Sequence, residues 1–560
     1  MIGLVAATAA GRRHAERLAG LWPDAKVFGG PASSALPAAW TECTGIVAFL
    51  SVGATVRLLA PHLGDKHTDP GVVCVDEAGR WAVPVLGAHG GAANALAARV
   101  GEALGSTAVI TTGSDSIGLN ALDQLGWAIE GDAAAVARAM LDGEDVTCAA
   151  AQTWPLPPLP VRRVPYAELV APAVVITDRL LDALPTPCVV LRPPSLVLGI
   201  GASRNAPAAE IEQLVSEVLR SAGLSVASVF AVATAQAKAD EAGILEVCAG
   251  HGWSLTSYAA DLLAEVAVPN PSAVVLAAVG TPSVAEASAL LHAGPGAELV
   301  VGKRASAMAT VAVARARPRG RLTLVGLGPG ARDLLSARAA EALARSGFVV
   351  GLDQYVAQVR DLVRPGTVVL ESGLGQEEER ARTAVDLARA GNAVALIGSG
   401  DAGVYAMASP ALELADESFD VVGVPGITAA LAAAALLGAP LGHDHAAISL
   451  SDLHTPWPAI ERRVRAAAEG DFVVTFYNPR SRGRDHQLPD ALDILREHRP
   501  PTTPVGLVRD ASRPGQRVLL STLAEVRPAD VDMLTVVVVG SSQTVEVAGR
   551  MVTPRGYRWA

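Results

Sequence analysis

The chain has 560 residues, half of them apolar and 18% charged, with a formal net charge of −11. That length exceeds what one hydrophobic core can organise and implies about three to five domains; the acidic balance argues against broad nucleic-acid binding, which needs a basic surface to displace counterions. Cys43, Cys74, Cys148, Cys188 and Cys248 form no C-x-x-C pair, so neither a thiolate zinc site nor a cluster is expected and no metal is assigned.

The opening "MIGLVAATAAGRRHAERLAG" places an apolar run ahead of its basic residues, the reverse of a secretory signal. It reads as a strand followed by a helix, and the expected location is the cytoplasm. "GVVCVDEAGRWAVPVLG" reads as a hairpin, two β-rich runs joined across Glu77-Ala78-Gly79. The prolines of "TWPLPPLPVRRVP", from Thr153 to Pro165, cannot sit in a helix interior or a central strand and mark a break. "LRPPS" marks another before the apolar run "LVLGIGASR", and the basic "ARARPRGR", from Ala314 to Arg321, reads as the main boundary. The expected domains are 1–150, a middle region 151–195, 196–316 and 321–560.

After that boundary "RLTLVGLGPGARDLLSARAAEAL" reads as strand, glycine-rich turn and helix. Gly326, Gly328 and Ala331 satisfy the G-x-G-x-x-G/A dinucleotide pattern, and Asp353 follows a second apolar run. Pro329 speaks against a pyrophosphate there, because it removes a backbone donor from the turn. A second glycine turn, "LIGSGDAGVYAMASPALELA", follows another strand. "ITAALAAAALLGAPLG" is interrupted by Gly438 and Pro440 before about 18 apolar residues accumulate, so it reads as a buried helix and no membrane association is expected. "NAVALIG", "DVVGV", "DFVVTFY", "TPVGLV" and "DMLTVVVVG" alternate with helical or turn segments, the pattern of α/β layers.

Two glycine turns followed by "VPGITAALAAAALLG" and "TFYNPRSRGR" resemble the tetrapyrrole (precorrin and uroporphyrinogen) methyltransferase family. "HAAISLSDLHTPWPAIERRV", "TPVGLVRDA" and "SQTVEVAGRMVTPRGY" resemble its branch that methylates C17 of a precorrin and contracts the macrocycle. The resemblance runs from about Arg321 to Tyr557 and implies a two-lobed α/β fold, a homodimer, and S-adenosylmethionine (SAM) as cofactor between the lobes. Carried over by position, the SAM contacts are Gly400, Asp401, Gly403, Val404, Tyr405, Ala406, Thr428, Ala429, Tyr477 and Asn478. Pro329 and Gly330 line the mouth of the site and are counted with them, while Gly328 is assigned to the substrate side. The family often has Asp where this chain has Ala331.

Ring contraction needs proton movements, for which Asp401, Asp452, His443 and His454 are the candidates. A precorrin carries many carboxylates, so Arg480, Arg482 and Arg484 are the candidate substrate contacts. A structural hydrogen bond or a solvated arginine loop is the competing explanation for each.

Earlier in the chain, "VRLLAPHLGDKHTDPGVVCVDEAGRWAVPVLGAHGGAANALAARV" with "VITTGSDSIG" resembles the cobalt-precorrin-5A hydrolase family. "LGIGASR", "ATAQAKADEAGILEVC", "GTPSVAEASALL" and "VVGKR" resemble that family's C-terminal domain. The resemblance implies opening of a δ-lactone, which needs a water, a base and an oxyanion donor. His89, in a glycine-rich turn at a helix entry, is the catalytic candidate, with Asp65, Lys66, Asp69 and Asp115 as further polar residues. Lys238, Asp240, Glu241, Glu286 and Lys303 fall on motif positions of the C-terminal domain. The chain departs from the family at Gly87-Ala88-His89 and at Gly199-Ile200-Gly201-Ala202-Ser203-Arg204.

The sequence therefore reads as a multidomain α/β enzyme of corrin biosynthesis, with small α/β domains ahead of the two-lobed methyltransferase. The alternatives are the same methyltransferase behind a non-catalytic tetrapyrrole-binding module, and an NAD-dependent oxidoreductase built on Gly326, Gly328 and Ala331.

Overall fold

Ile2–Ala6 is a wholly buried strand and Thr8 caps the helix Ala9–Leu21 by accepting the Gly11 N–H. This computed structural model describes residues 1–557 except Lys66, His67, His89, Gly90, residues 114–117 and Arg482; at Asp123, Gln124, Val274 and Ala278 only the backbone is described. Two compact units result, Met1–Thr153 with Leu159–Pro318, and Trp154–Pro158 with Arg319–Ala560. The strands Ala309–Arg315 and Gly320–Gly326 leave only residues 316–319 between them where the sequence marks the main boundary.

The first unit contains three sheets. In spatial order the first runs Ala25–Phe28, Ile2–Ala6, Gly45–Phe49, Gly71–Val75, Trp81–Leu86 and Thr107–Ala108. The expected hairpin is its antiparallel pair, Gly71–Val75 with Trp81–Leu86. The second sheet joins Ala128–Gly131, Cys188–Arg192, Ala173–Ile176, Thr147–Ala150 and Arg162–Arg163. The boundary expected at residue 150 thus falls inside a sheet, because Ala128–Gly131 pairs antiparallel with Cys188–Arg192, far along the chain. The third sheet centres on Leu196–Ala202, flanked by Val229–Ala235 and Ala309–Arg315. All five cysteines are buried free thiols, and burial pushes Cys74, Cys148 and Cys248 up to about 11.

The second unit has two lobes. Its first sheet is entirely parallel, in the order Val368–Ser372, Phe348–Leu352, Ala393–Gly398, Gly320–Gly326, Phe419–Val424. Parallel strands covered by helices are apolar on both faces, and Val394, Ala395, Leu396 and Ile397 are all buried. The second sheet runs His445–Ser449, Val473–Tyr477, Thr535–Val539, Pro504–Arg509, Arg517–Thr522 and is mostly antiparallel. The alanine-rich segment forms the short helix Ala429–Leu437. Among the described residues no helix is long and apolar enough to cross a membrane.

Candidate functional site

In a parallel sheet the loops that follow neighbouring strands emerge at one edge, which is where ligands bind in open α/β folds. Here the loops after Gly320–Gly326, Ala393–Gly398 and Phe419–Val424 lock together at the backbone. Gly328 donates to the Gly400 carbonyl at 3.0 Å, and Gly400 returns the bond at 2.7 Å. Asp401 joins the third loop: Oδ1 accepts the Gly403 N–H at 2.8 Å and Oδ2 the Gly426 N–H at 3.0 Å.

The close approach explains the glycines. A Cβ on Gly326 would lie 2.7 Å from both the Gly400 oxygen and the Gly426 nitrogen, and one on Gly426 would lie 2.1 Å from the Gly400 oxygen. The first glycine of the apparent dinucleotide pattern is therefore filled by the protein's own backbone. The helix after this turn also starts late, at Ala337, with Ser336 as its cap. A dinucleotide fingerprint needs the helix N-terminus directly at the turn to meet the pyrophosphate, so the geometry opposes the oxidoreductase alternative.

The second lobe completes the edge. The Tyr405 hydroxyl donates to the Ala447 carbonyl at 2.8 Å. The Tyr477 hydroxyl lies 2.6 Å from Thr428 Oγ1 and accepts the Ala430 N–H at 2.9 Å, satisfying a donor in the first turn of the helix Ala429–Leu437. The two tyrosine rings are 5.1 Å apart. Burial pushes the Tyr405 phenol up. Tyr405 and Asn478 both hold left-handed backbone, with φ of 50° and 49°. Asn tolerates this conformation locally, whereas for Tyr it is strain of about 1–3 kcal/mol that the surrounding contacts must hold.

A cavity of about 770 Å³ adjoins these loops. Gly398, Ser399, Tyr405, Ala406 and Met407 line it from the first lobe, and Ala447, Ser449, His454 and Asn478 from the second. Asn478 is held by its Nδ2 bond to Ser449 Oγ at 3.1 Å.

Of the residues singled out in the sequence, Tyr405, Ala406, Asn478 and His454 line this cavity. Gly328, Gly400, Asp401, Thr428 and Tyr477 build the adjoining loop junction. Gly403 donates to Asp401, Val404 follows in the same turn, and Ala429 begins the helix that Tyr477 supports. Both Asp401 oxygens are engaged by backbone donors. Asp452 is exposed and accepts from Gln487 Nε2 at 2.9 Å, and His443 is exposed beside Asp444. Arg480 reaches the Pro528 carbonyl, and Arg484, 9% exposed, donates to Ser451 Oγ. His89, Lys66, Asp115 and Arg482 lie outside the described residues.

Sequence reasoning missed Arg513. Its Nε donates to the Pro329 carbonyl at 2.7 Å and an Nη to Ser399 Oγ at 2.8 Å, so one guanidinium braces both glycine turns. Gly330 leaves room for it, since a Cβ there would meet Arg513 Nε at 2.6 Å. The only signal was a lone arginine after "TPVGLVRDA", and nothing local says where it points.

In the first unit, Glu286 is fully buried and accepts from Asn270 N, Asn270 Nδ2 and Lys303 N. Lys238 pairs with Glu241 at 3.1 Å. These motif residues tie loops together in the described structure.

Fold and site thus define a two-lobed α/β ligand-binding unit, with its loops converging on one sheet edge. Residues 321–527 match the model of the tetrapyrrole (corrin/porphyrin) methylases, residues 196–314 that of the cobalamin synthesis G C-terminus, and residues 34–115 that of its N-terminal part. The chain is 46% identical over 239 residues to a probable cobalt-factor III C(17)-methyltransferase of Salmonella typhimurium, covering 42% of this chain and 99% of that protein. It is 40% identical over 252 residues to a precorrin-3B C(17)-methyltransferase of a Sinorhizobium species, covering 43% of this chain and 98% of the relative. A solved structure of the methyltransferase CobJ aligns with 41% identity and a TM-score of 0.41, over 42% of this chain and all of that one. The chain belongs to the tetrapyrrole methylase family, with cobalamin-synthesis-G modules fused ahead of the methylase.

Proposed function

We propose that residues 321–560 methylate C17 of precorrin-3B or cobalt-factor III from SAM, with ring contraction, and that residues 1–316 open the lactone of a later corrinoid. The observation that carries the first half is the junction of Gly328, Gly400 and Asp401 beside the tyrosine-lined cavity. The part of its lining formed by Tyr405, Ala406, Ser449 and Asn478 fits the cofactor: aromatic and small apolar surface for an adenosine, with the Ser449 hydroxyl and Asn478 amide as polar contacts.

SAM brings its own electrophile, a methyl on cationic sulfur, so the protein's task is placement. Pro329, Gly330, Gly400, Gly403, Val404, Tyr405, Ala406, Thr428, Ala429, Tyr477 and Asn478 hold the cofactor in this reading. Asp401 acts as a positioning residue that fixes two of the loops. Holding the reacting atoms in line contributes about 7–11 kcal/mol when the geometry is tight. Arg480, Arg482 and Arg484 meet substrate carboxylates, and His454, which lines the cavity, moves the proton in ring contraction. The exposed apolar residues Val421 and Val422 on one edge strand, and Val518 and Leu519 on another, support a homodimer through this half; light scattering should then give twice the chain mass.

Calorimetric titration of the full chain tests the cofactor. S-adenosylhomocysteine (SAH) should bind one site per chain and NAD should not; NAD binding without SAH binding overturns the reading. For the first unit, a lactone-bearing corrinoid should release a two-carbon aldehyde when mixed with the chain. Corrinoid binding with no aldehyde would leave a binding module in its place.

A further inference from the structure

The cavity holds a cation that the proposed chemistry does not use. Arg380 lies in the helix Glu377–Arg389, is 5% exposed and lines the cavity. Its guanidinium donates through Nε to Ser372 Oγ at 2.8 Å, through one Nη to the Gly373 carbonyl at 2.7 Å, and through the other to Met407 Sδ at 3.6 Å. Every acceptor is neutral, and among the described residues Arg380 forms no ion pair. Arg192 and Arg315 meet Glu130 and Asp178 at 2.6 Å, whereas the buried Arg484 and Arg499 rest, like Arg380, on neutral acceptors; of these three only Arg380 lines the cavity.

A buried charge without a counter-charge is costly. Arg380 is the fourth residue of its helix, behind Glu377, Glu378 and Glu379, which occupy the end that favours anions. The acceptors within reach are neutral, and three of the five N–H groups of the guanidinium remain without a strong acceptor. The rim adds a second observation. Leu374, on the cavity lining, is 79% exposed, and Leu453, next to His454, is 74% exposed; they are the most exposed large apolar residues among those described. Three acids, Glu377, Glu378 and Glu413, share the lining with Arg380; Glu377 accepts the Gly375 N–H and Glu413 the Ser409 hydroxyl.

A fixed buried cation below an apolar rim matches a broad apolar ligand edged with carboxylates. We propose that Arg380 receives a carboxylate of the tetrapyrrole and sets the orientation of the macrocycle, while Leu374 and Leu453 cover its apolar surface. Arg380 then acts in substrate specificity, with its fork held in register by Ser372 and Gly373. This assignment rests on the methyltransferase reading above.

The test uses the full chain, uroporphyrin III as the polycarboxylate probe, and its fully methyl-esterified form in the same mild detergent. Binding is followed by porphyrin fluorescence, and SAH binding by calorimetry. Arg380→Met should weaken the acid form by about 10–100-fold, the range for losing a charged hydrogen bond, while leaving the ester form and SAH within about twofold. Arg380→Lys should restore part of the preference for the acid. Equal losses for acid and ester would make Arg380 a brace for the Gly373 loop only, and unchanged binding of both would remove it from the site. A selective loss of SAH affinity would assign it to the cofactor; each of these overturns the proposal. Failure of the wild-type chain to bind SAH would instead strike the underlying reading.

Discussion

Gly426 shows how little the loop junction can yield. A Cβ there would sit 2.1 Å from the Gly400 oxygen and 2.7 Å from the Gly326 carbonyl carbon, both backbone atoms that cannot swing aside. Gly426→Ala should cost about 3 kcal/mol, the upper range for overpacking, and should abolish SAH binding. Gly423, three residues earlier, has open space where a Cβ would go, with nothing within 4 Å, so Gly423→Ala should stay within about 0.5 kcal/mol. Urea unfolding followed by SAH titration of both variants checks the contrast. His454 makes the second prediction. It lines the cavity on an exposed loop, so removing it should not unsettle the fold. As a proton-transfer group its replacement by Ala should lower kcat by about 10²–10⁴-fold with SAH affinity unchanged; a loss below about tenfold would make it a substrate contact.

At the scale of elements, much was legible because apolar runs bounded by glycine and proline encode buried parallel strands directly. "NAVALIG" and "DFVVTFY" became Ala393–Gly398 and Val473–Tyr477. The second sheet of the first unit was not legible. A proline-rich segment looks the same whether it joins two domains or two strands, and "TWPLPPLPVRRVP" leads from Thr147–Ala150 to Arg162–Arg163 within one sheet. Arg380 and Arg513 were missed for a related reason: burial of an arginine depends on partners brought in from elsewhere in the fold, such as Pro329 for Arg513. The element Ala285–Ala293 carries a pH prediction. His292 on it contacts the Tyr258 hydroxyl at 2.9 Å, and burial lowers its pKa below the ordinary value of 6.5. The unfolded chain then binds the proton more readily than the folded one. The neutral form's advantage is full above about 6.5 and is lost as pH falls from there toward the depressed folded value. The unfolding midpoint of the first unit should therefore drop between about pH 7.5 and 5.5, and His292→Gln should flatten that part of the profile.

At the scale of the molecule, the chain forms two compact units, each with its own buried clusters, such as Leu198, Ile200 and Val232 in the first and Leu324, Leu396 and Phe419 in the second. Separate cores favour separate unfolding transitions. All the cofactor contacts proposed here belong to the second unit, so a ligand that binds only the folded state should stabilise that unit alone. At about 100 times its Kd, SAH adds about 2.7 kcal/mol, which for a domain of this size raises Tm by about 5–10 °C. Scanning calorimetry of the full chain should show two transitions, of which one moves by that amount with SAH while the other stays. The Gly426→Ala variant should lose the shift, which identifies the moving transition as the second unit. A corrinoid that instead shifts the stationary transition would place its binding site in the first unit. If both transitions rise together with SAH, the units unfold as one cooperative body and the separation of their stabilities is wrong.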